Sequence, residues 1–273
     1  MEVLFEGVDT KVWNKTSEIS KTVADELSNI KENFCFLFVG HWLNGNFGHD
    51  RKDVAGMLKT FFETFKRKAN KPALILKTSQ ATFSVIDREN ILRKIKLIAD
   101  QCGEGLPNVY LLHGDLEPEE MNSLYNHPKV KAMLSFTHGE GYGRPLAEFC
   151  VTQKPVIASN WSGHIDFLKH SVLLPGELQE VHESAQWENV VVQGSKWFYV
   201  NHLYASKVLK DIHKKYKKYI PDARKQARLV REELNLDKMT ERFTEIMEKH
   251  VNVPQQVQLN MPKITLPKLE KIS

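Results

Sequence analysis

The stretch SFTHGEGYGRPLAEFCVTQKPVIASNWSGHIDF, residues 135–167, shows a strand, a turn, a helix and a second strand in close succession. An apolar run leads into a turn with two glycines, and residues 145–151 predict a helix with a proline in its first turn. Residues 155–159, "PVIAS", are typical of another buried strand. Seven residues separate two acids: Glu140 lies at the mouth of the turn and Glu148 inside the helix.

The same alternation continues on both sides of this stretch. Near-continuous apolar runs of strand length are separated by segments with helical periodicity, and the runs are "FCFLFVG" (34–40), "PALILK" (72–77), "NVYLLHG" (108–114), "VKAMLSF" (130–136) and "SVLLPG" (171–176). This arrangement is typical of a parallel sheet with helices on both faces. We therefore expect an α/β protein with a Rossmann-like parallel sheet flanked by helices, and a ligand site at the carboxyl ends of its strands.

The composition along the chain predicts four segments. Residues 1–33 form a linker-like N-terminal segment, and residues 34–200 form the Rossmann-like domain. Residues 201–250 have the pattern of C-terminal helices, and residues 251–273, which contain three prolines, are expected to be an extended tail.

Bulk properties indicate an ordinary globular protein. The chain has 273 residues and a net charge of +4, and its apolar runs are too short for a membrane span. Neither a signal peptide nor a paired cysteine spacing is visible, so Cys35, Cys102 and Cys150 are expected to be reduced, buried thiols. We expect a cytoplasmic protein, either free or peripheral at a membrane.

The turn between the two acids has the chemistry of an anion site. Gly141 and Gly143 allow close approach of the backbone, and N–H groups at a helix N-terminus favour phosphate. Carboxylates bind sugar hydroxyls, so the combination suits a sugar diphosphate. The alternative is that Glu140 and Glu148 are solvated surface acids. Similarly, His138 either contacts the bound sugar diphosphate or is a turn histidine that bonds to the backbone.

The motif "EGYGRPLAE" resembles the Glu-x7-Glu motif of retaining glycosyltransferases with the GT-B fold, especially family four. "FEGVDTKVWNK" (5–15) resembles the segment between the two domains of those enzymes, and "FLFVGHWLNGNFGHDRKD" (36–53) resembles the first strand and phosphate loop of their nucleotide-sugar domain. The resemblance extends over roughly residues 5–250. It implies the C-terminal, nucleotide-sugar-binding half of such an enzyme, with a nucleotide-diphosphate sugar as donor substrate and retention of anomeric configuration.

The resemblance also implies roles for individual residues of the motif. Glu148 would bind the ribose hydroxyls and Glu140, the expected catalytic residue, would lie at the donor sugar. The backbone from Gly141 through Tyr142 to Gly143 would contact the sugar and phosphate. A glycine loop that follows the next strand in the family corresponds to "NWSGHIDFL", which contains Gly163.

The diphosphate in the family is commonly held by an arginine and a lysine. Lys52 matches the lysine, whereas His41 stands in place of the arginine. A neutral imidazole donates one hydrogen bond, and a guanidinium offers a charged fork, so Arg51 or Lys77 is expected to compensate. No Asp-x-Asp element is present, and neither a metal nor a cofactor is expected.

The family likeness leaves the acceptor side of the reaction open. The chain begins close to the segment that resembles the interdomain linker, so the acceptor domain could be a separate polypeptide or be replaced by self-association in a homo-oligomer. Alternatively, the chain is a non-enzymatic nucleotide-sugar-binding or assembly module. Residues 207–231 are either a solvated basic helical face or a surface for an anionic acceptor, lipid or DNA. A dinucleotide oxidoreductase is disfavoured because "GHWLNGNFG" lacks the G-x-G-x-x-G spacing.

Overall fold

The centre of the computed structural model, which describes residues 2–43 and 49–251, is a six-stranded sheet. Its strands are β1 Cys35–His41, β2 Ala73–Ser79, β3 Val109–Leu112, β4 Val130–Ser135, β5 Val156–Ser159 and β6 Val172–Leu174. They lie in the order β3-β2-β1-β4-β5-β6, and each neighbouring pair is parallel. The predicted parallel α/β sheet, including its sixth strand, is therefore confirmed.

Helices cover both faces of this sheet. They are α1 Lys21–Ser28, α2 Val54–Phe65, α3 Val85–Cys102, α4 Pro118–Asn126, α5 Arg144–Cys150, α6 His202–Lys214, α7 Ile220–Glu233 and α8 Leu236–His250. Side chains of a strand alternate between the faces, so Phe36 and Phe38 join the core under α2, α3 and α6. Cys35 and Leu37 join the opposite core with α1, α4 and α5.

The strand order creates a crevice at the centre of the sheet. β1 and β4 are neighbours, yet the chain runs from β1 outward to β2 and β3, and from β4 outward to β5 and β6. Connections that leave in opposite directions open a ligand site at the carboxyl ends of the two central strands. The loop that carries Lys52 and the turn that carries Glu140 both lie at this edge.

Two elements are not among the predicted ones. Helix α1 lies within the segment expected to be linker-like, and the N-terminal segment also bonds to the C-terminal helices through Val8, whose N–H donates to Leu234 O at 2.9 Å. An antiparallel hairpin follows β6 and consists of β7 Gly176–Glu180 and β8 Lys196–Val200. We refer to residues 176–200 as the hairpin extension.

The hairpin extension is attached to the sheet through the turn after β4. His138 Nδ1 lies 2.7 Å from Phe198 O, and Phe198 N–H donates to His138 O at 3.3 Å. The His138 ring also stacks on Trp197, with ring centroids 5.0 Å apart. His138 therefore bonds to the backbone, which is one of the two alternatives that the sequence left open. It also connects the hairpin extension to the predicted site.

The remaining fold predictions concern the cysteines and the tail. All three cysteines are buried and make no disulfide, as expected. No helix in the described ranges 2–43 and 49–251 is both long enough and apolar enough to cross a membrane. The predicted tail, from residue 252 onward, and residues 44–48 of the predicted phosphate loop lie outside the described residues.

Candidate functional site

A cleft of about 620 Å³ lies at the carboxyl ends of β1 and β2, beside α5. Five of the predicted site residues line it: His41, Arg51, Lys52, Lys77 and Glu148. They come from three separate regions of the sequence, and the switch in strand order brings them together. The sequence prediction of a shared site is thus consistent with where these five side chains lie.

Lys52 and Arg51 both contact Glu140 at one end of the cleft. Lys52 Nζ forms a short ion pair with Glu140 Oε1, and Arg51 Nη1 lies 3.3 Å from Oε2. Arg51 also donates to Gly139 O at 2.7 Å. Only 14% of the Lys52 side chain and 10% of the Glu140 side chain are exposed, so the pair is largely shielded from water. Burial alone would raise the pKa of Glu140, but the two neighbouring cations outweigh it and hold that pKa below its ordinary value.

Lys77 lies near the carboxyl end of β2, on the other side of the cleft. Its Nζ donates to Gly114 O at 2.5 Å and lies 5.4 Å from the centroid of the Phe83 ring. Burial lowers the pKa of Lys77, and the carboxylate of Asp115 opposes this shift. His41 ends β1 and its Nδ1 lies 3.0 Å from Ser79 Oγ. That contact orients the imidazole toward the neighbouring strand.

Glu148 is buried on α5 and is paired with Arg144 one helical turn earlier. Nε of Arg144 and its Nη2 both lie 3.2 Å from Glu148 Oε1. Burial raises the pKa of Glu148, although Arg144 partly opposes the shift. Arg144 also lies 3.4 Å from Glu6 and lines the cleft. It is not among the predicted site residues, yet its position four residues before Glu148 is a signal that could have identified it.

The predicted glycine turn is packed tightly against the loop after β5. The N–H of Gly163 donates to Glu140 O at 3.0 Å, and a Cβ on Gly163 would lie 1.8 Å from Gly141 O. Gly143 has a φ of +93°, a left-handed conformation that favours glycine. A Cβ on Gly141, in contrast, would meet no atom within 4 Å. Close packing therefore requires glycine at position 163 and the left-handed conformation favours glycine at position 143. At Gly141, in contrast, there is open space for a ligand.

Ser162 fixes the backbone of Glu140. Its Oγ accepts from Glu140 N–H at 3.1 Å and donates to Glu140 O at 2.7 Å. Ser162 has a φ of +76°, an uncommon conformation for a residue with a side chain. No sequence pattern identified Ser162, because a serine in a loop after a strand is common.

Tyr142, which was predicted to line the site, and the neighbouring His164 both make structural contacts. The ring of Tyr142 packs on Phe167, with centroids 4.8 Å apart. His164 is fully buried, and its Nε2 lies 2.6 Å from Ser159 O. Within the part of the chain that the structure describes, no group of three or more His, Cys, Asp or Glu side chains could hold a metal ion.

The charges that line the cleft favour an anion. Four cations, Arg51, Lys52, Lys77 and Arg144, line the cleft with two acids, Asp115 and Glu148, and Glu140 at its end adds a third acid. The cations come from both sides of the cleft, and a partly enclosed site strengthens their combined field. Glu140 lies beside Arg51 and Lys52, Glu148 lies beside Arg144, and Asp115 acts on Lys77. The arrangement suits a ligand with an anionic centre and hydroxyl groups on both sides of it.

Comparison with known proteins finds the same fold among solved glycosyltransferase structures. Neither a protein-family model nor a curated protein matches the chain significantly. Among solved structures, a glycosyltransferase from Rickettsia africae superposes with a TM-score of 0.63 at 12% identity, over 91% of this chain and 56% of that one. Anabaena Alr3699/HepE in complex with UDP and glucose also has a TM-score of 0.63, at 10% identity, over 91% and 57%.

A shorter structure defines which part of such enzymes the chain corresponds to. The C-terminal domain of a glycosyl transferase group 1 family protein, LpcC from Francisella tularensis, superposes with a TM-score of 0.53 at 15% identity. The match covers 84% of this chain and 100% of that domain. The chain spans only about half the length of the first two structures. It therefore has the fold of the C-terminal domain of GT-B glycosyltransferases.

Proposed function

We propose that the chain binds a nucleotide-diphosphate sugar in the cleft and acts as the donor half of a glycosyltransferase. The observation that carries this proposal is the cluster of Lys52, Lys77 and Arg51 around the carboxyl ends of β1 and β2, with carboxylates beside it. Two of the solved structures with this fold are complexes of Anabaena Alr3699/HepE with UDP-glucose or with UDP and glucose, which supports the same ligand class here.

The diphosphate would lie between the two sides of the cleft. Lys52 reaches it from the loop after β1 and Lys77 from β2, as point charges whose ammonium groups are already partly desolvated. Lys52 is held by Glu140 before the ligand arrives, so the ammonium can contact a phosphate oxygen with little reorganisation. His41 would add a hydrogen bond without a permanent charge.

The two acids have different roles in this proposal. Glu148 is buried close to Tyr125 and Arg144, and its carboxylate would accept hydrogen bonds from ribose hydroxyls. Glu140 is ionised beside Lys52 and Arg51, where it would face the donor sugar. In the transfer step, the bond between the anomeric carbon and the phosphate oxygen breaks, and its electron pair leaves with the nucleoside diphosphate. The acceptor oxygen bonds to the anomeric carbon, and its proton passes to the leaving phosphate.

Calorimetric titration tests donor binding. The protein is titrated with UDP-, GDP- and ADP-glucose and with UDP, GDP and ADP, and at least one nucleotide sugar should bind. A Lys52→Met, Lys77→Met double variant should lose at least tenfold in affinity, whereas Lys96→Met, which removes an exposed lysine of α3, should bind as wild type does. No binding by any member of this panel would contradict the proposal.

A second function is donor binding without transfer, as a binding or assembly module. The observation that favours it is that His41, whose imidazole bonds to Ser79, stands where the resemblance implies an arginine for the diphosphate. Release of free sugar or formation of a glycoside from the bound donor separates the two functions. If purified protein releases sugar and Glu140→Gln abolishes the release, the chain is catalytic; tight binding with no turnover supports the module.

A further inference from the structure

A second concavity, of about 650 Å³, lies beside the cleft and has a different chemistry. The hairpin extension forms one wall, and the ends of the loops after β1 and β2 form the other. Its lining is mostly apolar and includes Leu43, Ala81, Trp187, Val190, Val191 and Trp197. We refer to this concavity as the apolar groove.

Hydrogen bonds and ring stacking hold the tryptophans of the apolar groove in place. Trp187 is held by a closed turn, in which Trp187 N–H donates to Val191 O at 3.0 Å and Val191 N–H donates to Trp187 O at 2.8 Å. Trp197 is held from behind by its stack on His138. Nevertheless, Trp187 is 68% exposed, Val190 64% and Leu43 49%. Large apolar side chains grouped around a concavity and left in contact with water indicate a binding site.

Arg51 connects the apolar groove to the cleft. Its side chain lines both, and its Nη1 lies 3.3 Å from Glu140 Oε2. The groove therefore opens at the end of the cleft where the proposed donor sugar would lie. An occupant of the groove would place one end next to the bond that breaks in the transfer.

We infer that the apolar groove holds the acceptor, an alcohol with an apolar aryl or alkyl body whose hydroxyl group reaches Arg51 and Glu140. This inference rests on the proposed function. A concave site of this volume fits one such body, because ligand pockets are typically about 300–1,000 Å³. One cation, Arg51, and one acid, Asp87, are in the lining, so the groove lacks the basic surface that DNA or an anionic lipid headgroup would require.

Soluble glycosides of one sugar with different aglycones test this inference without the nucleotide. Octyl β-D-glucoside, below its micellar concentration, and 4-nitrophenyl β-D-glucoside should bind the protein at least tenfold more tightly than methyl β-D-glucoside. Trp187→Ala and Val190→Ser should each reduce the affinity for the octyl probe about three- to tenfold. Leu203→Ser is the matched control, because Leu203 is 80% exposed on α6 and does not line the groove.

The outcomes separate this inference from the proposed function. UDP and GDP are titrated into the same variants, and Trp187→Ala should leave nucleotide affinity unchanged. If the octyl probe shows no preference over the methyl probe, or if Leu203→Ser weakens it as much as Trp187→Ala does, the inference is overturned while nucleotide binding can persist. Adsorption to neutral phosphatidylcholine vesicles that depends on Trp187, without binding of the soluble probes, would overturn it in favour of a membrane surface.

Discussion

Replacement of Glu140 by glutamine should change the affinities for a nucleoside diphosphate and for its sugar conjugate in opposite directions. In the ligand-free protein, the carboxylate of Glu140 neutralises Lys52 and Arg51, which are two of the cations that would hold the diphosphate. Glutamine has nearly the same shape but no charge. The variant therefore releases both cations for the phosphates and at the same time removes the carboxylate that would face the sugar.

The contacts set the size of both effects. A phosphate oxygen on the far side of the Lys52 ammonium would lie roughly 6 Å from the carboxylate, since each hydrogen bond spans about 3 Å. At an effective dielectric constant of about 20, two unit charges at that separation repel by about 3 kcal/mol. Glutamine holds Lys52 in place less firmly than the carboxylate does, which offsets part of this gain and leaves about 1 kcal/mol. Nucleoside diphosphate affinity should rise about fivefold. Loss of a hydrogen bond to a charged group costs about 1.5–3 kcal/mol. The ratio of the affinity for the nucleotide sugar to that for the nucleoside diphosphate should therefore fall at least tenfold.

Calorimetric titration of UDP and UDP-glucose, or of GDP and GDP-glucose, into both proteins measures these effects. Glu104→Gln, which removes an exposed acid before β3, provides the control and should change neither affinity. Weaker nucleoside diphosphate binding in Glu140→Gln, with an unchanged contribution from the sugar, would refute the placement of Glu140 at the sugar end of the cleft.

Three further variants test the site and its surroundings. Gly163→Ala should lower the free energy of unfolding by about 2 kcal/mol or more, because its Cβ would lie 1.8 Å from a carbonyl oxygen, whereas Gly141→Ala has open space and should unfold at the wild-type temperature. Glu148→Gln should weaken nucleotide binding about tenfold, because a hydrogen bond from the ribose to a charged group is lost. The same variant should raise the melting temperature, because burial destabilises the charged carboxylate, as its raised pKa indicates. A fall in both nucleotide affinity and melting temperature would contradict this prediction. Burial lowers the pKa of Lys154 to about 7, so above that pH the folded protein binds fewer protons than the unfolded chain and its stability rises with pH, by up to about 1.4 kcal/mol per pH unit. Denaturant melts at pH 7, 8 and 9 should show a steeper rise in wild type than in Lys154→Met, in which the other buried lysines remain; parallel profiles would contradict it.

The central sheet could be predicted from the sequence because its strands are buried on both faces. "FCFLFVG" and "PALIL" are continuous apolar runs, and that composition and length are typical of buried parallel strands. The position of a site at the carboxyl ends of the strands follows from the same reasoning, whereas the roles of Lys52 and Glu148 rest on the resemblance of the motif. Lys52, Lys77 and Glu148 are far apart in the chain and line one cleft.

The hairpin extension could not be predicted by the same means. β7, "GELQE", is mostly exposed and has a single large apolar residue, so neither alternation nor an apolar run identifies it as a strand. Helix α1 is similar, because it buries only Val23 and Leu27. Both elements depend on contacts with distant parts of the chain, such as His138 with Phe198, and these contacts leave no local pattern. The apolar groove was missed for the same reason.

The most direct test of the proposed donor site is a crystal structure of the protein with the nucleoside diphosphate that binds it most tightly. We expect the diphosphate within hydrogen-bond distance of Lys52 and Lys77, the ribose hydroxyls at Glu148, and the terminal phosphate toward Glu140. A nucleotide bound elsewhere, such as on the basic surface of residues 207–231, with the cleft empty would contradict it.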